Sequence, residues 1–459
     1  MTRLTCFKAY DIRGRIGSEL DDAIMGRIGR GFARALSARK VVVGRDCRAS
    51  SAAFMEAVVQ ALLDEAVEVL DLGLCGTEEM YHATSHFGAD GGIEVTASHN
   101  PMDYNGLKMV RAGSAPLDAA TGLATIQALA EGNEFGPARP GGSRRPAAMA
   151  RAAYVDQVLG FVEVSRLKSL KILVNSGNGT AGPTFDAIEA ALADRASPLR
   201  FVKMHHQPDG SFPHGIPNPL LAENQPATAN VVRQAKADFG VAFDGDFDRC
   251  FFFDHLGQFV PGEYIVGLLA EAFLRRAPGQ TIIHDPRIVW NTQDLVLANG
   301  GRAVQARTGH AFMKQAMRDH GAIYGGEMSA HHYFRDFVYC DSGMIPWLMI
   351  AQLISETGRT LADLVASRRQ AFPSSGENNF RLTDPMAAIG RVRAAYEAQS
   401  EGLDETDGLS LSFADWRFNL RSSNTEPVVR LNIETRGDPD RITTELAAIT
   451  ALLQVGTGG

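Results

Sequence analysis

The hexapeptide DGDFDR, residues 244–249, sets Asp244, Asp246 and Asp248 at alternate positions directly after an apolar run. Three carboxylates in so short a loop repel one another unless a cation neutralises them. A donor set of oxygens alone suits a hard ion such as Mg²⁺, completed by water or a phosphate oxygen. An EF-hand is excluded by spacing, because Arg249 stands where that loop needs glycine and His255 where it needs a bidentate glutamate. The competing reading is a solvated acidic hairpin. In TASHNP (96–101), Ser98, His99 and Asn100 close a strand-like run. Ser98 could present its hydroxyl at a strand's carboxyl end, or Ser98 and Asn100 could simply bond the backbone of a turn. No G-x-S-x-G surrounds Ser98, which disfavours an α/β-hydrolase nucleophile. Lys108 follows ten residues on, in DYNGLK.

GEMSAHH (326–332) offers Glu327 and Ser329, whose oxygens suit sugar hydroxyls. Its adjacent histidines, His331 and His332, are expected to point different ways rather than share a metal. RSSNTEP (421–427) gathers Arg421, Ser422, Ser423, Asn424 and Thr425, a guanidinium fork with several small donors for one anion, or else a polar hairpin loop. GNGTAG (177–182) matches the dinucleotide pattern G-x-G-x-x-G between a strand and a helix. The acidic residue that should close the next strand is missing, because LRFVKM runs into His205–His206. A tight strand–helix turn is the preferred reading.

These loops need a scaffold, and the hydrophobic pattern supplies one. VVVGRD (41–46), a helix over 52–66, VEVLDLG (67–73), a helix from about Thr77 to Phe87, and GGIEVTA (91–97) lead into SHNP. The same order recurs from KILVNSG (171–177) to FGVAF (239–243), which runs into DGDFDR, and from TIIHDP (281–286) to AIYGG, which runs into EMSAHH. Three strand–helix–strand–helix–strand modules predict an α/β fold of repeated, largely parallel sheets with ligands at the carboxyl ends of the strands. After about residue 366 the pattern becomes a small α+β unit with an antiparallel sheet. The Gly-, Pro- and Arg-rich stretch 131–148 reads as a linker. The expected domains are 1–145, 146–250, 251–366 and 367–459.

Composition bounds the rest. At 459 residues the chain has room for about three to four domains of ~100–200 residues. With 45 Lys+Arg against 53 Asp+Glu, the net charge of −8 argues against a nucleic-acid footprint or an anionic-membrane surface. Five cysteines without a C-x-x-C pair fit reduced thiols in a cytoplasm. The charged N-terminus lacks a signal peptide's apolar core, and IPWLMIAQLI (345–354) is about half a membrane span. A cytoplasmic location, no nucleic-acid partner and no membrane partner are therefore expected.

AYDIRG, VTASHNPMDYNGLK, FGVAFDGDFDRC, YGGEMSAHHYF and RSSNTEP together, in this order and spacing, resemble the α-D-phosphohexomutases over nearly the whole chain. The resemblance implies three related α/β domains and a fourth α+β domain around a central cleft. Ser98 then resembles a phosphorylated serine, and Asp244, Asp246 and Asp248 resemble the ligands of one Mg²⁺ completed by the phosphoserine. Glu327 and Ser329 resemble sugar-hydroxyl contacts, and Arg421, Ser423, Asn424 and Thr425 a distal phosphate clamp. Arg13, His99, Lys108, Arg249, His310 and His331 match further active-site positions, with Lys108, His331 and Arg13 as unranked acid or base candidates. Arg287, in HDPRIVW, replaces a lysine of some relatives, which keeps the charge but removes a titratable ammonium. The implied reaction is the interconversion of mannose 6-phosphate and mannose 1-phosphate through hexose 1,6-bisphosphate, feeding GDP-mannose synthesis, by a monomer or dimer. Glucose phosphates are a second expected substrate. Alternatives are a glucose- or glucosamine-phosphate mutase of the same family and, more remotely, a nicotinamide oxidoreductase using GNGTAG.

Overall fold

The structure, a computed structural model, describes residues 3–422 and 428–455. The chain forms two compact units, Met1–Phe259 with His331–Gly358, and Val260–Ala330 with Arg359–Gly459.

The first unit holds two α/β sheets. In the first, Lys40–Arg45 lies between Glu68–Leu74 and Gly91–Val95, parallel to both. Tyr104–Arg111 then runs back antiparallel to Gly91–Val95, and Ile12–Arg15 pairs with it. Val41, Val43, Val69, Ile93 and Val95 pack with Met25, Ile28 and Phe32 of the helix Asp22–Ala35 and with Phe54, Val58 and Leu62 of the helix Ser51–Asp64. The second sheet repeats the plan: Lys171–Asn175 lies between Arg200–Met204 and Phe239–Phe243, and Cys250–Asp254 returns antiparallel. The helix Met344–Thr357 also belongs to this unit. Trp347, Leu348 and Ile350 are fully buried, which explains the apolar run read at 345–354 as a core helix buried around its circumference.

In the second unit, Thr281–His284 lies between Arg302–Gln305 and Tyr324–Gly326, again parallel to both. The first strand of each module is thus central, the second lies on one side and the third on the other. The three polar loops follow the third strands, Gly91–Val95, Phe239–Phe243 and Tyr324–Gly326. The C-terminal part of this unit is an antiparallel sheet in the order Ser374–Arg381, Val428–Thr435, Trp416–Ser422, Leu409–Ser412 and Gly402–Asp404. The helices Pro385–Tyr396 and Pro439–Gln454 complete its core through Val392, Ile449 and Leu453.

The stretch read as a linker needs correction. Its first residues finish the helix Ala124–Gly132, and Ser143–Pro146 is an edge strand parallel to Glu68–Leu74. Arg144 pairs with Asp71 and Glu56, and Arg145 with Glu68. Arginine and proline on an exposed edge block further strand pairing, so an edge strand carries the same composition as a linker. Among the described residues no helix is long and apolar enough to cross a membrane, and all five cysteines are free thiols.

Candidate active site

Ser98 sits in the tight turn after Gly91–Val95, with φ +46°, a left-handed backbone that a side chain rarely adopts. Its neighbours hold it there. Arg48, almost fully buried, donates to the carbonyls of Ser98 (2.9 Å), Pro101 (2.9 Å) and Tyr104 (3.1 Å). Asp46 accepts from the Arg48 N–H at 2.9 Å and from Ser51. Arg13 donates to the Ala97 carbonyl at 2.8 Å, to Asn100 Oδ1 and to Asp11. Behind the serine, a β-carbon on Gly245 would stand 2.6 Å from the Ser98 carbonyl oxygen, so glycine lets the two loops meet backbone to backbone.

The aspartate loop is a hairpin, but not a solvated one: Asp244 and Asp246 are 0% exposed and Asp248 3%. The Ser98 hydroxyl donates to Asp244 Oδ2 at 2.6 Å. Arg249 donates to the same carboxylate at 2.8 Å, and Lys108 donates to Asp246 at 2.7 Å and to Asp248. Lys108 and Arg249 thus lie against three buried carboxylates that repel one another. Burial opposes ionisation of Asp244, yet the adjacent Arg249 charge holds its carboxyl well below the usual range. Burial, reinforced by repulsion from Asp246 and Asp244 and outweighing Lys108, pushes Asp248 well above it. The Lys108 ammonium is desolvated, but Asp246 and Asp248 keep it charged. Burial and the Arg249 charge bring the His99 imidazole down to about 4, so it is neutral near pH 7; its Nδ1 lies 3.0 Å from Ser98 Oγ and accepts from Arg249.

Asp246 Oδ1 and Asp248 Oδ1 are buried and have no hydrogen-bond partner among the described residues, while oxygens of all three aspartates lie within 4.8 Å of one another. Buried oxygens without a hydrogen-bond partner and a close, all-oxygen donor set fit a hard divalent cation. The adjacent histidines diverge as expected. His331 Nε2 is 3.9 Å from Asp248 Oδ1, whereas His332 is fully buried. Asp341 joins Asp248 and His331 in a second close group.

GNGTAG serves this same loop. A β-carbon on Gly179 would stand 2.6 Å from the Gly245 carbonyl oxygen, which accepts the Thr180 N–H at 3.0 Å. The close approach that a dinucleotide's pyrophosphate needs from such glycines is taken by the aspartate loop, so the oxidoreductase reading is withdrawn.

In the second unit, Arg287 is buried and donates to Asp285 at 2.6 Å and to Ser329 Oγ at 3.4 Å, with Glu327 at 3.9 Å. Glu327 accepts the Gly309 N–H at 2.9 Å, at the start of the helix His310–His320, which brings Glu327 to the His310 end of that helix. Arg421, on Trp416–Ser422, lies 3.4 Å from Glu377; burial and the Arg287 charge lower its pKa. Ser423, Asn424 and Thr425 lie outside the described residues.

Sequence reasoning missed several contributors. Glu377 lies within 4 Å of Arg287, Arg421 and Arg430, yet its strand SSGENNFR carries no motif. Arg417 and Glu434 form a buried pair at 2.8 Å that grips the Arg287 loop. Arg417 donates to the carbonyls of Pro286 (3.0 Å) and Arg287 (3.1 Å), and Glu434 accepts the N–H groups of Val289 and Trp290. Asp46 and Arg48 in GRDCR read only as the end of a strand. Charged side chains at the end of a buried run were their one available signal.

Four family models cover most of the chain: phosphoglucomutase/phosphomannomutase α/β/α domains I (residues 5–136), II (152–257) and III (261–372), and the C-terminal domain (377–452). A phosphomannomutase of Salmonella typhimurium is 57% identical, covering 99% of this chain and 100% of its own length. The crystal structure of a phosphoglucomutase/phosphomannomutase family protein from Burkholderia thailandensis superposes with TM-score 0.87 at 31% identity, covering 100% of this chain and 99% of that one. An N-acetylphosphoglucosamine mutase of Aspergillus fumigatus, in complex with GlcNAc-6P and magnesium, shares the fold at 13% identity and TM-score 0.55, over 90% of this chain and 82% of its own. The chain therefore belongs to the phosphoglucomutase/phosphomannomutase family of phosphohexomutases, and it is an isomerase that works by phosphoryl transfer.

Proposed function

We propose that this enzyme interconverts mannose 6-phosphate and mannose 1-phosphate through a phosphorylated Ser98 and a hexose 1,6-bisphosphate, and also accepts glucose phosphates. The observation that carries the reading is Ser98 Oγ lying 2.6 Å from Asp244 within a buried aspartate triad two of whose oxygens have no hydrogen-bond partner among the described residues. The name of the Salmonella relative supports mannose.

Asp244, Asp246 and Asp248 would hold one Mg²⁺, with the Ser98 phosphate as a further oxygen donor. When bound, the ion supplies charge neutralisation at the transferring phosphoryl group. The remaining chemistry belongs to the chain. Phosphoryl passes from Ser98 Oγ to a sugar hydroxyl: the Oγ–P bond breaks as the sugar O–P bond forms, the hydroxyl hands its proton to a base, and Ser98 Oγ takes up a proton. The resulting bisphosphate turns end for end and returns its other phosphate to Ser98. Arg249 and Lys108 add fixed positive charge beside the serine.

Of the three acid or base candidates, Arg13 is committed to Ala97, Asn100 and Asp11, and Lys108 is held as an ammonium between two aspartates. His331, partly exposed and beside Asp248, suits proton transfer best. Glu327 and Ser329 would read sugar hydroxyls, with His310 nearby. Arg287 and Arg421, with Ser423, Asn424 and Thr425, would bind the distal phosphate. The product would feed GDP-mannose synthesis in the cytoplasm.

The test is kcat/KM for the 1-phosphates of mannose, glucose and glucosamine. Mannose 1-phosphate is expected to be the best or equal-best substrate; a clear preference for glucose 1-phosphate or glucosamine 1-phosphate overturns the assignment.

A further inference from the structure

The tetrapeptide GTEE, Gly76–Glu79, opens the helix Thr77–His86 and carries no recognised motif. It nevertheless holds the aspartate loop. Fully buried Thr77 gives its N–H to the Asp246 carbonyl at 3.2 Å and its hydroxyl to Asp246 Oδ2 at 2.6 Å, across 169 residues of sequence. Thr96 Oγ1 (3.2 Å) and Lys108 Nζ (2.7 Å) converge on the same oxygen. Oδ2 is therefore saturated, whereas buried Oδ1 of the same carboxylate accepts nothing among the described residues. A carboxylate held in this way by one oxygen presents the other in a fixed direction.

The contact is interlocked on both sides. A β-carbon on Gly76 would overlap the ring of Phe247, which is itself fully buried at φ +48°. Glu79 accepts from the Gly76 N–H (3.1 Å), Arg151 (2.8 Å) and Thr184 (2.8 Å), fixing the helix start. The positive end of the helix dipole thus faces Asp246.

We infer that Thr77 is a positioning residue for the metal: its hydroxyl orients Asp246 so that Oδ1 points to the cation. The inference rests on the reading of the aspartate triad as Mg²⁺ ligands. Thr96 and Lys108 share the acceptor, but Thr77 makes the shortest of the three contacts and adds a backbone bond to the same residue.

Metal-stripped full-length protein is titrated with Mn²⁺, and free ion is followed by electron paramagnetic resonance. Thr77→Val is expected to weaken the Mn²⁺ Kd by about 10-fold or more, as losing a partner of a ligand does, with the metal-free unfolding transition little changed. Thr77→Ser should bind like wild type. Turnover by Thr77→Val should fall more at limiting than at saturating Mg²⁺. A wild-type Kd for Thr77→Val overturns the inference. If wild type and Asp246→Asn bind Mn²⁺ alike, the triad reading fails instead. Should Thr77→Val not fold, Thr77→Ala is read in the same way; if neither folds without metal, Thr77 is a folding residue and the inference falls.

Discussion

Replacing Arg417 with methionine removes a guanidinium that is 3% exposed from a glutamate that is 0% exposed, across a 2.8 Å contact. It also removes the donors to the Pro286 and Arg287 carbonyls. Breaking a buried ion pair costs ~3–5 kcal/mol, because the surviving charge is left without a counterion. Glu434 keeps the Val289 and Trp290 N–H groups, at 2.7 and 3.0 Å, so the lower end of that range applies, ~3 kcal/mol. Urea unfolding followed by tryptophan fluorescence is the assay, since two of the three tryptophans, Trp290 and Trp416, lie in this unit. The expected result is a lowered midpoint at unchanged slope. Adding Glu434→Gln should recover part of the loss, because the stranded charge is what costs. The Arg287 loop should also loosen, raising KM for the sugar phosphate. A loss below about 1 kcal/mol, or a double variant worse than the sum of the singles, refutes the reasoning.

Other outcomes follow from the same geometry. Burial brings His332 from 6.5 down to about 3, so between these values the unfolded chain binds the proton more readily than the folded one. Its contribution to stability is complete above about pH 6.5 and is lost on acidification at about 1.4 kcal/mol per pH unit, ~2 kcal/mol by pH 5. His332→Phe should flatten the urea-derived stability profile between pH 7 and 5; an unaltered slope contradicts this. Gly179→Ala pushes a β-carbon into the Gly245 carbonyl and should displace the aspartate loop, lowering turnover by about 10²-fold if the shift approaches 1 Å. Wild-type protein should show no NADH binding at millimolar nucleotide, as titration calorimetry can check. Excess EDTA should abolish turnover and added Mg²⁺ restore it, whereas undiminished activity in chelator would remove the metal assignment from Asp244, Asp246 and Asp248.

The three loops were legible because each is a polar interruption at the end of a buried strand, and the strand–helix order repeats around them. What was illegible depends on approach in space. Thr77 and Asp246 touch across 169 residues, and Arg417 grips Arg287 across 130. Neither threonine at a helix start nor arginine in a strand announces its partner. Lys108 could be named from the sequence, but its lodging between Asp246 and Asp248 follows from the return strand Tyr104–Arg111. The 131–148 stretch misled because Gly, Pro and Arg mark a linker and a protected edge strand alike. An acidic hairpin is one reading of the spacing, but its burial cannot be read there, because spacing does not reveal which neighbours cover a loop.

The proposed mechanism turns on Ser98 carrying the transferred phosphoryl group. Peptide mass spectrometry of the protein after incubation with glucose 1,6-bisphosphate, beside a turnover assay of Ser98→Ala, tests it most directly. Phosphate on the Ser98 peptide and an alanine variant that has lost nearly all mutase activity are expected. An unmodified Ser98 together with full turnover by Ser98→Ala would contradict it.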